Sequence, residues 1–197
     1  MTHLRLTPPQ TVGPFFHDCL LGRGARVVVS QPAEATIRIE GTLVDGAGQS
    51  VDDAMVEVWQ ADSHGRYHHP ADTRDVPDDN GFIGYGRAAT DEAGRFWFST
   101  VKPGPVPGPD GRTQAPHLVV QVFARGLLDV LTTRLYFAGE VANDEDPVLQ
   151  TVPRERRDTL LAQESHDDGE VVYRFDIVLQ GEHETVFFDV GGRRRGR

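Results

Sequence analysis

The feature that most constrains the fold is a run of alternating side chains near the end of the sequence. It spans Val171–Gln180 and reads VVYRFDIVLQ. On one face it places the apolar side chains of Val171, Tyr173, Phe175, Ile177 and Leu179. Residues two apart in a strand point to the same side. The run therefore predicts a β-strand with one buried face.

Further segments carry the same signal, because they are short and rich in β-branched and aromatic residues. They are Ile37–Val44, Met55–Gln60, Arg95–Val101, His117–Ala124, Thr132–Phe137 and Glu184–Val190. Turn sequences rich in Asp and Gly separate them, as at Asp45–Gly48, Asp91–Gly94 and Asp168–Gly169. This pattern predicts an all-β fold, a β-sandwich of mostly antiparallel strands with long loops. One short helix is expected at Pro153–Gln163, with Thr151 as its cap.

The length of 197 residues suits one domain. We expect a single β-sandwich domain over residues 1–190, with an N-terminal arm over residues 1–35 and a flexible basic tail at residues 191–197. No run approaches the ~20 apolar residues that a membrane helix needs. The formal net charge of −10 is opposite to that of a typical nucleic-acid binder. We therefore expect neither a membrane nor a nucleic acid as partner.

Cysteine usage and the N-terminus bear on the compartment. Cys19 is the only cysteine, so no intrachain disulfide can form, and we expect it to be a small buried side chain. The first residues contain no apolar core of a signal peptide. Together these features predict a cytoplasmic protein.

Candidate chemistry lies in the polar loop over residues 61–86 and around one strand. The loop carries His64, His68 and His69 beside Tyr67. Imidazole suits first-row metals, so the loop is either a metal site or a solvated loop. His117 begins an apolar strand, where it is either a hydrogen-bonded structural residue or a metal ligand.

Arg125 follows that strand directly. A strand end that opens on a loop suits a guanidinium that binds an anion. The other interpretation is an exposed arginine or a structural ion pair.

Several stretches, taken in order along the chain, resemble the intradiol ring-cleavage dioxygenases. They are Thr7–Phe16, Val56–Asp62, Thr100–Pro105, Thr133–Phe137 and Tyr173–Ile177. The resemblance implies a β-sandwich, in agreement with the strand pattern. It also implies a mononuclear non-haem Fe(III) held by two tyrosines and two histidines.

Carried over position by position, the resemblance puts the metal-ligand positions at Tyr67, Val106, His117 and Val119. Valine has no donor atom, so two of the four ligands are absent. We therefore expect this chain to hold no metal. Tyr67 and His117 are then vestigial groups that form hydrogen bonds inside a pocket without catalytic function.

The departure from the pattern points to the two-chain enzymes of the family. The N-terminal stretch, Phe123–Gly126 and Gly181–Asp189 resemble the α chain of such a pair, which keeps the fold and lacks ligands. The resemblance implies a homologous β subunit that holds the Fe(III), in an (αβ)n assembly.

The implied substrates are protocatechuate and O2, and the implied product is 3-carboxy-cis,cis-muconate, in aromatic degradation through the β-ketoadipate pathway. The resemblance implies substrate contacts from Thr11, Gly13, Pro14 and Arg125. Arg125 would face the carboxylate of protocatechuate and so help to distinguish it from catechol.

Two alternatives remain open. The first is a single-chain catechol or hydroxyquinol dioxygenase, in which Tyr85, His68 or His69 replaces the missing ligands. The second is a non-catalytic β-sandwich that serves as a binding module. The first predicts iron in the chain alone, and the second predicts no dioxygenase activity with any partner.

Overall fold

The computed structural model describes residues 19–22, 25–28, 36–77, 79, 81–108 and 110–190. The predicted tail at residues 191–197 and the substrate-binding candidates Thr11, Gly13 and Pro14 lie outside the described residues. The strands are β1 Thr36–Val44, β2 Met55–Gln60, β3 Tyr85–Ala89, β4 Arg95–Val101, β5 Val106–Pro107, β6 Thr113–Gln114, β7 His117–Phe123, β8 Leu131–Phe137, β9 Leu161–Asp167, β10 Glu170–Arg174 and β11 Ile177–Val178. Short 3-10 helices cover Val141–Asp144, Leu149–Thr151 and Arg154–Leu160.

The strands form two layers, which confirms the predicted β-sandwich. One layer has the order β4, β1, β10, β9, and the other has the order β8, β7, β2, β3. The layers join where β8 and β9 pair in parallel, Tyr136 with Leu161 and Phe137 with Ala162. Most other pairs are antiparallel, and β1 pairs in parallel with β10 and β11. β5 and β6 form a separate small hairpin.

The core lies between the layers because alternate residues of each strand point inward. In β1 every second residue is buried, and Ile39 and Leu43 belong to the same apolar cluster as Phe98 of β4 and Val120 of β7. The opposite face of the second layer carries His117, Val119, Arg134 and Tyr136. The 3-10 helices pack a second, smaller apolar cluster around Tyr136 on that face.

The segment predicted as a helix differs from the expectation in type and in its end. It is a 3-10 helix over Arg154–Leu160, and β9 begins at Leu161. The expected cap is absent, since the Thr151 hydroxyl donates to the Val148 carbonyl instead. The helix stops because the next residues enter the parallel pairing with β8.

The strand predicted at Glu184–Val190 is wrong. Thr185 N donates to the carbonyl of Val178, and Phe188 N donates to the carbonyl of Thr132. These bonds join two different strands, so no continuous ladder forms although Thr185 is buried.

Two further expectations need revision. The run at Val171–Gln180 divides into β10 and β11 at Asp176, whose carboxylate accepts from the N–H and hydroxyl of Thr42 (both 2.8 Å). Cys19 is exposed, not buried. Among the described residues, no helix is long and apolar enough to cross a bilayer.

Candidate functional site

Tyr67 lies in the loop after β2, half-buried against the sheet. Its ring stacks on Trp59 with centroids 5.8 Å apart and an angle of 4° between the planes. Its N–H donates to Asp72 Oδ2 at 2.9 Å. Burial raises the pKa of the phenol, and the charges of Arg134 and Arg74 oppose that rise. The phenol is therefore neutral at ordinary pH.

The backbone around Tyr67 is fixed by a buried carboxylate. Asp62 Oδ1 accepts from His64 N (3.0 Å) and Arg66 N (2.8 Å). Gly65 has φ +78°, and a Cβ there would overlap the Pro105 carbonyl oxygen. Only glycine meets both demands. The loop that carries Tyr67 thus packs directly on the Lys102–Pro105 turn, which brings two of the family-like stretches into contact.

His117 lies at the start of β7 and is only 4% exposed. Its Nδ1 is 2.7 Å from the Ala115 carbonyl oxygen. A carbonyl oxygen can only accept a hydrogen bond, so Nδ1 carries the proton and Nε2 is unprotonated. Burial, reinforced by the charge of Arg134, lowers the pKa of His117 to about 4. His117 is a neutral, hydrogen-bonded residue.

Each of the two valines has a polar strand partner. Val106 pairs with Gln114 across the β5–β6 hairpin, and Val119 pairs with Arg134 across β7 and β8. Arg134 Nη1 donates to Gln114 Oε1 at 2.7 Å. A guanidinium side chain and an amide therefore lie beside the positions where two ligands are missing.

A second buried carboxylate, that of Asp146, forms hydrogen bonds to this cluster. Asp146 is fully buried and accepts from the Tyr136 hydroxyl (3.1 Å), from Ala115 N (2.8 Å) and from Leu149 N (2.7 Å). It also accepts from Val148 N at 2.9 Å. Burial raises the pKa of the Tyr136 phenol. Its donors and acceptors are used within the fold.

His64 and His69 are engaged in separate contacts. His64 Nε2 lies 3.6 Å from Asp79 Oδ1, while His69 packs edge-on to Trp59 and its Nδ1 accepts from Ala71 N at 3.1 Å. Tyr85, the other possible replacement ligand, donates to Glu57 Oε1 at 2.7 Å. In the described part of the chain, no group of three or more His, Cys, Asp or Glu side chains is placed to hold a metal ion.

These residues do not fit the ferric ion that the family pattern implies. Val106 and Val119 supply no donor, and the remaining pair, Tyr67 and His117, shares its surroundings with the cation of Arg134. Fe(III) favours the negative charge of two phenolates, and only one tyrosine stands at the four ligand positions. The polar side chains of this cluster are joined by hydrogen bonds among Gln114, Arg134, Tyr136 and Asp146.

Arg125 lies far from this cluster. Six steps of about 3.3 Å separate His117 from Phe123 along β7, so the ends of the strand are ~20 Å apart. Arg125 follows the far end, and its side chain is 68% exposed. Arg125 Nε lies 2.9 Å from Asp53 Oδ2, yet the pair is not aligned as a hydrogen bond, because that oxygen has no hydrogen-bond partner. The guanidinium can therefore turn toward another anion.

Sequence reasoning gave no role to Arg134, although it lies in one of the family-like stretches, Thr133–Phe137. Its signal was the alternation of β8, which puts it on the same face as Tyr136. The position of Arg134 beside Val119 depends on the register of β7 and β8. That register cannot be read from the sequence of either strand alone.

The comparisons with known proteins agree with this geometry. A family model described as Dioxygenase matches residues 23–181. The protocatechuate 3,4-dioxygenase alpha chain of Pseudomonas putida is 41% identical over 197 residues, which covers 93% of this chain and 96% of the relative. The alpha chain of Burkholderia cepacia is 43% identical over 204 residues and covers 96% and 100%. The beta chain of Burkholderia cepacia is 37% identical over 182 residues and covers 89% and 76%.

Solved structures show the same fold. The dioxygenase domain of a carbohydrate-binding fusion from Streptomyces sp. SirexAA-E aligns with a TM-score of 0.59 at 27% identity, over 79% of this chain and 87% of that one. Catechol 1,2-dioxygenase from Acinetobacter sp. ADP1 aligns with a TM-score of 0.60 at 22% identity, over 77% and 55%. With a family model over most of its length and relatives above 40% identity across nearly all of it, the chain belongs to the intradiol ring-cleavage dioxygenase family.

Proposed function

We propose that this chain is the α subunit of a protocatechuate 3,4-dioxygenase. With a homologous β subunit that holds Fe(III), it would open the ring of 3,4-dihydroxybenzoate with O2 to give 3-carboxy-cis,cis-muconate. The names of two relatives supply the substrate, and the name of a third supplies the second subunit. The chain needs a partner in this proposal because Val106 and Val119 leave its set of metal ligands incomplete.

The observation that carries the proposal is the position of Arg125. It lies ~20 Å or more from the chain's own Tyr67 and His117, at the opposite end of β7. It is exposed and only loosely paired with Asp53. An arginine so placed cannot serve a substrate bound at its own chain's cluster, but it suits a carboxylate bound at a neighbouring subunit.

In this proposal Thr11, Gly13 and Pro14 join Arg125 in lining the substrate pocket of the β subunit. Glycine would let the backbone approach the ring closely, and proline would fix the turn that follows. The assembly is an (αβ)n oligomer in the cytoplasm. Its reaction belongs to aromatic catabolism through the β-ketoadipate pathway.

The test compares the chain alone with the chain co-expressed with an iron-bearing β chain. We expect the chain alone to be colourless and free of iron. The pair should co-purify with one iron per αβ unit, show the red-brown tyrosinate absorption, and turn over protocatechuate. Iron and colour in the chain alone would favour the single-chain dioxygenase. Failure to form any complex would favour the non-catalytic binding module.

A Tyr67→Phe variant provides the internal control. In the assembled enzyme this change should leave the iron content unchanged, because Tyr67 is not a ligand in this proposal. Loss of iron from the complex would show that the α chain does coordinate the metal.

A further inference from the structure

The guanidinium of Arg134 lies where the cluster lacks its ligands. Arg134 faces Val119 in the register of β7 and β8 and is half-buried. It donates through Nη1 to Gln114 Oε1 (2.7 Å) and to the Tyr136 hydroxyl (3.3 Å). Its charge is felt by both Tyr67 and His117. The guanidinium therefore contacts Gln114 and Tyr136 directly, and the Tyr136 ring lies 5.8 Å from the His117 ring.

The bond to Gln114 joins two separate parts of the chain. Gln114 is the strand partner of Val106 in the β5–β6 hairpin. Arg134 is the strand partner of Val119 in the main sheet. The hydrogen bond between them therefore ties the hairpin to the sheet through the neighbours of the two valines. A metal ion bound by ligands at 106 and 119 would make the same connection.

A charged guanidinium also makes the site hostile to a second cation. Like charges repel more strongly in a partly buried site than in open water, and the guanidinium of an arginine carries its charge at any ordinary pH.

We propose that Arg134 replaces the metal ion in this chain, as a structural cross-link and as the group that keeps cations out. The proposal goes beyond the proposed function, since it concerns the chain's own cluster and not the site of the β subunit. It explains how the cluster is cross-linked by hydrogen bonds although valine occupies two of the four ligand positions.

The first experiment measures iron uptake by the full chain purified alone. Val106→Tyr combined with Val119→His restores the missing donor types. We expect this double variant to take up little iron when incubated with ferrous ammonium sulfate in air. Adding Arg134→Gln should raise the iron bound per chain at least tenfold and produce tyrosinate absorption. Iron is measured by elemental analysis, so no activity is needed.

The matched control is Arg112→Gln in the same double variant. Arg112 lies on the exposed connection of the same hairpin, with its side chain 62% exposed and paired with Asp110. Its removal changes the net charge by the same amount and should not increase iron uptake. Equal uptake with and without Arg134, or equal gains from both arginine variants, would overturn the proposal.

A second experiment does not depend on the folding of the ligand-restored variants. In the otherwise unchanged chain, Arg134→Gln should lower Tm by at least about 3 °C. It should also speed tryptic cleavage after Arg112 at least tenfold, since the hairpin loses its tie to the sheet. Arg134→Lys keeps the charge and should recover part of both losses. If Arg134→Gln changes neither Tm nor cleavage, the cross-link does not exist.

The two proposals fail separately. Iron uptake and hairpin cleavage are measured on the chain alone, whereas the proposed function is judged by turnover with the β subunit. An active complex with unchanged hairpin cleavage in Arg134→Gln would overturn only the role of Arg134.

Discussion

His117 stands at a ligand position of the family pattern and is held in this chain by the fold itself. Its Nδ1 proton is committed to the Ala115 carbonyl, and burial together with Arg134 lowers its pKa to about 4. Protonation would require a second charge inside the sheet. Protons therefore bind the unfolded chain, where the pKa is near 6.5, more readily than the folded one.

We predict a pH dependence of stability from this residue. Because the pKa of His117 is lower in the folded state, its neutral imidazole makes its full contribution to the free energy of unfolding above about pH 6.5. That contribution is lost as the pH falls toward 4. The loss amounts to about 3 kcal/mol at pH 4. Urea unfolding at several pH values should show a steeper decline for the natural chain than for His117→Gln. Parallel declines would mean that other groups cause the acid sensitivity.

At the same scale, the sequence predicts some site residues and not others. Tyr67, Val106, His117 and Val119 could be located because each follows a recognisable stretch of the chain. Arg134 could not be given a role, because its contacts arise from the register of two strands. The placement of Arg125 follows β7 as expected, and its role in substrate binding stays a prediction.

Among the elements, the strands with clean alternation were the most predictable. β2 and β4 have the predicted bounds, Met55–Gln60 and Arg95–Val101. β3 was missed because Gly84 and Gly86 interrupt its pattern, although Gly86 is needed where a Cβ would approach the side chain of Val28. The segment at Glu184–Val190 has strand-like composition but bonds to two strands at once. Composition alone cannot distinguish a ladder from such a crossing segment.

The 3-10 segments after β8 depend on one carboxylate. Asp146 accepts hydrogen bonds from backbone N–H groups on both sides of the cluster, at Ala115 and Leu149. We predict that Asp146→Asn lowers the free energy of unfolding by at least about 2 kcal/mol, because the amide N–H₂ would face a backbone donor. Urea unfolding measures this loss.

Tyr136→Phe is the matched variant, since it removes the hydroxyl bonds to Asp146 and Arg134 but leaves the backbone contacts of Asp146 in place. It should cost about 1 kcal/mol. If the two variants are equally stable, the backbone contacts of Asp146 contribute nothing beyond the tyrosine bond.

At the scale of the whole molecule, the two ends of strand β7 have different functions. The start of β7 belongs to the Arg134 cluster, and its end leads to the exposed guanidinium of Arg125. In the proposed complex these ends serve two different subunits. The sequence predicted the start of this strand at His117 and its end one residue late, at Ala124 instead of Phe123. The distance between the ends follows from the rise per residue, but the contacts at the His117 end depend on strand register.

We predict that Arg125→Gln in the assembled enzyme lowers kcat/KM for protocatechuate at least tenfold, mainly through KM. Turnover of catechol, which lacks the carboxylate, should change little. Steady-state kinetics with both substrates measure the difference, with Arg112→Gln as a second exposed arginine for comparison. An equal loss for both substrates would indicate that Arg125 supports the fold or the interface and not the carboxylate.

The number of residues in β7 therefore sets the distance between its two ends, whichever side chains the strand carries. One residue inserted into this strand would turn everything after it to the opposite face, because side chains alternate with a period of two. Two inserted residues would keep the faces but push the far end outward by about 7 Å. Substitutions along the strand can be accommodated by repacking, but insertions and deletions would break the spacing between its two ends. Among descendants of this chain, we expect this strand to vary in composition and to keep its residue count.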